Sequence, residues 1–115
     1  MPSPSLPLVF LLCPFRGLSF VQRQHVASVV DPLRAELLAQ GWVPVGLGEW
    51  ADHPLVSSLK EDDQRLWRDC VRSLVLQCDR VVRVTVAGVA EDELAEWVQE
   101  WAPKHAIAVE QRLLG

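Results

Sequence analysis

Three acids in a row, Glu91-Asp92-Glu93, follow a glycine turn at Gly88 and open an amphipathic stretch. Such a placement suits a carboxylate that attacks or stabilises an electrophilic sugar carbon, whose oxocarbenium-like transition state is held by negative charge. The same acids also complement the positive end of a helix, a purely structural role. Asp69 and Asp79, on and just after the preceding helical stretch, could position a substrate. Near the start of the chain, Arg16, Gly17 and Ser19 follow an apolar run, and with the first N–H groups of a helix they suit an anionic or hydroxylated ligand. The stretch Gly46–Ser57 lacks periodicity and carries Glu49, Trp50, Asp52 and His53, with Trp50 offering a ring on which a base can stack.

Other reactive residue types are poorly spaced for chemistry. Cys13, Cys70 and Cys78 are odd in number, have no CxxC spacing and lie in apolar surroundings, as reduced thiols of a cytoplasmic protein would. His25 and His53 have no partner at ligand spacing, so no metal site and no cofactor is expected. With a net charge of −4 and scattered Lys and Arg, the chain has no basic stripe for a phosphate backbone, so nucleic acid is not an expected partner. The apolar opening is too short to span a bilayer and has neither the cationic start nor the cleavage site of a secretory signal, so no membrane partner is expected either.

The elements that must hold these residues alternate. Leu8–Cys13 is a continuous apolar run closed by Pro14, as in a strand buried on both faces of a parallel sheet. Ser19 and Gln22 have capping-box spacing, and Val26, Val29, Val30, Leu33, Leu37 and Leu38 recur at helical intervals until Gly41. Pro32 lies inside this pattern after Asp31, so the helix is either kinked or restarted there. Trp42–Val45 reads as a second strand, placed at a sheet edge by Pro44. A second capping box, Ser58 with Glu61, opens a helix whose stripe is Leu59, Leu66, Cys70, Val71, Leu74 and Cys78. Val81–Val86 is β-branched and makes a third strand, Ala90–Trp101 a third helix that Pro103 ends, and Ala106–Val109 a short fourth strand. Trp97 and Trp101 share a face with Leu94 and Val98, either as ordinary core or as a surface for homo-oligomer formation.

With 115 residues, the chain has the length of a single domain, 1–115. Alternation of strand and helix demands right-handed crossovers. The expected fold class is therefore α/β, a three-layer flavodoxin-like or Rossmann-like fold with a four- to five-stranded parallel sheet in the order 2-1-3-4. Ligands of such sheets settle outside the strand carboxyl ends.

On these residues the chain resembles a family. PLVFLLCPFRG, WRDCVRSLVLQCDRVVRV and GVAEDELAEW resemble segments of the nucleoside 2-deoxyribosyltransferase-like superfamily, including its small phage and bacterial members. The resemblance rests on Arg16 and Gly17, Trp67 and Asp69, and Cys78 and Asp79. It implies a nucleoside or nucleotide ligand, Glu93 as nucleophile on the anomeric carbon, and Asp69 as a companion that orients the substrate. Arg16, Gly17, Ser19, Trp50, Asp79, Gly88 and Asp92 complete the implied binding set. Cys13 stands where that family has glycine, the serine of its Ser-x-Gly loop is absent, and a gap-free count from Gly88 reaches Asp92 rather than Glu93. VFLLCPFRG and EDELAEW are also similar to segments of Toll/interleukin-1 receptor domains, a likeness that implies an NAD-cleaving glutamate and again selects Glu93. A non-catalytic ligand-sensing or interaction module on the same scaffold is the alternative.

Overall fold

A computed structural model describes residues 6–14, 18–46, 64–91 and 93–115. The elements are β1 (Leu8–Leu12), α1 (Phe20–Ala39), β2 (Val43–Val45), α2 (Gln64–Val75), β3 (Arg80–Val86), α3 (Glu93–Trp101), a 3₁₀ turn (Ala102–His105) and β4 (Ala108–Leu114). The strands form one four-stranded sheet in the order β2-β1-β3-β4. Every pairing is parallel, with Phe10 beside Val45 and Val81, and Val86 beside Leu114. This is the expected flavodoxin-like α/β arrangement.

The two faces of the sheet are covered by different helices, which is why β1 reads as an unbroken apolar run and β3 as a largely apolar one. Val9, Leu11, Val82, Val84 and Val86 pack with Val26, Val30, Leu33 and Leu37 of α1. On the opposite face, Phe10, Leu12 and Val81 pack with Val71 and Val75 of α2 and with Leu94, Ala95 and Val98 of α3. The result is three layers.

Helix α1 is one helix that runs through Pro32, resolving the choice between a kink within it and a restart. Its start is the expected capping box: the Gln22 amide donates to Ser19 Oγ at 3.2 Å, and the Ser19 amide donates to Gln22 Oε1 at 3.0 Å. Asp31 does not cap a new helix but pairs with Arg34 at 2.8 Å. At the other end the Trp42 amide donates to the Leu37 carbonyl at 2.9 Å and the Gly41 amide to Leu38 at 3.0 Å, with Gly41 at φ 87°. This crossed pair of bonds needs a left-handed residue, which costs any L side chain. Space around the Gly41 Cβ position is open, so Gly41→Ala should lower stability by about 1 kcal/mol through backbone strain alone. A urea midpoint unchanged from wild type would refute that.

Two expectations are corrected. Cys70 is exposed on α2, and the buried stripe there is Val71 and Val75, with Leu74 half-buried. The fourth strand is longer than Ala106–Val109 and begins later, because Ala106 takes a left-handed φ of 59° to close the 3₁₀ turn. It then runs to Leu114 as an edge strand, where polar residues at Glu110–Arg112 are tolerated in a way an interior strand would not allow. The capping box at Ser58 and Glu61 lies outside the described residues. Trp97 and Trp101 are half-buried and stack edge-to-face at 5.3 Å. Arg68 and Arg72 of α2 cover them at 5.9 and 6.0 Å, one turn apart on each helix, so this stripe belongs to the packing of α2 on α3.

Candidate functional site

The strand order reverses between β1 and β3: the chain leaves β1 toward β2 on one side and returns to β3 on the other. Connections at such a reversal diverge to opposite faces and leave a crevice at the strand carboxyl ends. Cys13 and Pro14 follow β1 there, Ser19 caps α1, and residues 87–91 follow β3.

The turn after β3 is closed by the Val89 amide on the Val86 carbonyl at 3.1 Å, with Gly88 at φ 79°. Among the described residues nothing lies within 4 Å of the position a Gly88 Cβ would take. Beyond it Glu91 folds back onto the sheet. One carboxylate oxygen accepts from Thr85 Oγ1 at 2.9 Å and the other from an Arg83 guanidinium nitrogen at 2.8 Å. Arg83 is 9 % exposed and also donates to Gln99 of α3. A cation at that depth requires partners, and this one has a carboxylate and an amide oxygen.

Glu91 is therefore the acid that turns inward, and Arg83, Thr85 and Gln99 are the partners that pattern reading missed. The signal was present: Arg83 and Thr85 interrupt an otherwise apolar strand at alternate positions, hence on one face. Glu91→Ala leaves the Arg83 cation with Gln99 as its one partner among the described residues and should cost about 2 kcal/mol, whereas Arg83→Met, which removes the charge with its need, should cost less. Urea denaturation of both variants checks the order, and the reverse order would refute this account of the cluster.

Glu93 is the first residue of α3 and is exposed; no described residue bonds to its carboxylate. Ser19 stands at the carboxyl side of β1, but its hydroxyl oxygen already accepts the helix N–H. Asp69 is exposed midway along α2, on the side away from the buried Val71, and its carbonyl accepts the Ser73 hydroxyl at 2.9 Å. Asp79 departs from its expected place. Its carboxylate accepts the Leu8 amide at 3.0 Å and its own amide donates to the Leu8 carbonyl at 2.9 Å, at the amino end of the sheet. It is a strand-pairing residue on the edge opposite the crevice. Arg16, Gly17, Trp50 and Asp92 lie outside the described residues.

Burial pushes the Cys13 thiol up to about 11, against the opposing pull of the Arg34 charge. The Cys78 thiol is also pushed up to about 11, by burial and then by Asp79. Both are protonated at neutral pH and are poor nucleophiles. Among the described residues no three His, Cys, Asp or Glu side chains converge as metal ligands, and no helix is long and apolar enough to cross a membrane.

No protein-family model and no curated protein matches the chain.

Proposed function

We propose that the chain binds a nucleoside or nucleotide at the carboxyl ends of β1 and β3, and that a carboxylate after Gly88 acts on its N-glycosidic bond. The observation that carries this reading is the reversal of strand order at β1 and β3, with an acid-bearing turn on its rim. The resemblance to nucleoside 2-deoxyribosyltransferase-like proteins supplies the ligand class. In this reading Glu91 is structural, and Glu93 reacts or stabilises charge. A Glu93 carboxylate oxygen bonds to the anomeric carbon as the C–N bond breaks, its electron pair leaving with the base, which takes up a proton from solvent. Water or a second base then displaces the carboxylate. A cytoplasmic setting with reduced thiols belongs to the same proposal.

The second reading is a ligand-sensing module without catalysis. It is favoured by the same pair of acids: Glu91 is engaged by Arg83 and Thr85, and Glu93 is exposed. Titration calorimetry with deoxynucleosides, deoxynucleotides and NAD, followed by chromatography for free base, separates the two. Binding with base release supports the first reading, and release from NAD alone would move it to the Toll/interleukin-1 receptor type. Binding without release selects the sensing module. No binding to any of them overturns the ligand class.

A further inference from the structure

The two edges of the sheet are built differently. β2 is a three-residue strand with Pro44 at its centre, a short edge short of donors that resists further pairing. β4 is a seven-residue strand with no proline, paired to β3 in unbroken register along its whole length. Among the described residues no strand pairs with its outer side. The Leu114 carbonyl is turned to β3, where it accepts the Ala87 amide at 2.9 Å. By alternation, the N–H and C=O groups of Val109, Gln111 and Leu113 face away from the sheet. An edge of this kind, on a chain that guards its other edge with proline, is a template for another strand.

The sequence of β4 specifies which strand. Around Gln111 it reads Val109-Glu110-Gln111-Arg112-Leu113, an apolar, acidic, neutral, basic, apolar order. Antiparallel pairing with a second copy about a two-fold axis at Gln111 sets Glu110 opposite Arg112 of the other chain, and Val109 opposite Leu113. Each pair keeps to a single face, because directly opposed residues share a face. Glu110 and Arg112 lie on the α1 side, where they already pair with each other at 3.0 Å, and where Arg80 and Glu36 flank them. Crossing between copies extends that alternation of charge. On the other face Leu113 is 75 % exposed, the most exposed large apolar side chain among the described residues, and Val109 is its natural cover. A parallel approach in register would instead set Glu110 against Glu110 and Arg112 against Arg112, which repel.

We propose that β4 is a homodimer interface, pairing antiparallel with β4 of a second copy about Gln111 to form one continuous eight-stranded sheet. The pairing meets at Gln111, Val109 and Leu113 as hydrogen-bonded pairs, with Glu110 and Arg112 at the closer non-hydrogen-bonded positions. It leaves the crevice at β1 and β3 uncovered and stands independently of the ligand proposed for it.

Sedimentation equilibrium of the full chain at micromolar concentration should give a dimer. Gln111→Pro removes only an outward N–H, and Leu113→Lys changes only an exposed side chain, so both variants should keep the far-ultraviolet circular dichroism of wild type and sediment as monomers. In a Cys70→Ser background, Gln111→Cys should form a disulfide-linked dimer on mild oxidation. Hydrogen-bonded antiparallel pairs stand about 5.5 Å apart at Cα, within disulfide reach. A cysteine at Gln24, exposed on α1, should not. A wild-type monomer overturns the proposal. So does a dimer that survives both variants, which would place the contact elsewhere, or equal crosslinking at positions 111 and 24.

Discussion

Replacing Phe10 by alanine should lower the stability of the domain by about 4 kcal/mol, enough to leave much of the chain unfolded at physiological temperature. Phe10 is 2 % exposed at the middle of β1, between Val45 and Val81, and its ring reaches the cluster that α2 and α3 share. Truncation loses the transfer energy of the ring and opens a void lined by residues that regular strands and helices hold apart, so the site cannot collapse cheaply. Thermal or urea unfolding followed by circular dichroism measures the loss. A change under about 1 kcal/mol would mean that the face under α2 and α3 is much more loosely packed than its burial indicates.

On the proposed glycosidic reading, Glu93→Ala should reduce base release by about a thousand-fold while leaving the unfolding midpoint within about 0.5 kcal/mol of wild type. The stability half follows from its position, and the activity half from the proposed role. The side chain is exposed at the first turn of α3 and bonds to no described residue, so the fold does not depend on it beyond a favourable charge at a helix start. Under the proposed mechanism Glu93 would carry the glycosyl intermediate, and its loss would remove that covalent path. Glu91→Ala should show the opposite pattern, a clear loss of stability with activity falling only in proportion to folded protein. Chromatographic assay of released base, beside a denaturation curve for each variant, reads both. If Glu91→Ala abolishes release in fully folded protein and Glu93→Ala does not, the nucleophile is the acid held by Arg83.

The architecture was legible because burial on both faces leaves a strong trace: Leu8–Cys13 and Val81–Val86 could hardly be anything but interior strands. The capping box at Ser19 and the stop at Gly41 were equally plain, since each depends on residues within one turn. Distance in sequence defeated the rest. Nothing near Asp79 discloses that its carboxylate holds Leu8, so its place just after the implied substrate helix suggests a substrate contact where the structure has a strand-pairing one. Glu91 looked interchangeable with Glu93 until Arg83 and Thr85 were seen to claim it. β4 was cut short because Glu110, Gln111 and Arg112 break the apolar run, although an outermost strand needs no such run. Chain order carried the sheet, while the polar partnerships needed three dimensions.

The bond between Asp79 and Leu8 has a broader meaning for how this scaffold can change. With Arg80 beside it, stacked on Trp42 at 4.9 Å and paired with Glu110, it gathers the starts of β1, β3 and β4 and the entry to β2 into one knot. Strand alignment is thereby decided at the floor of the molecule. Segments leaving the roof are released from that duty, and a descendant could lengthen or rewrite them to suit a new small molecule without re-registering a single strand.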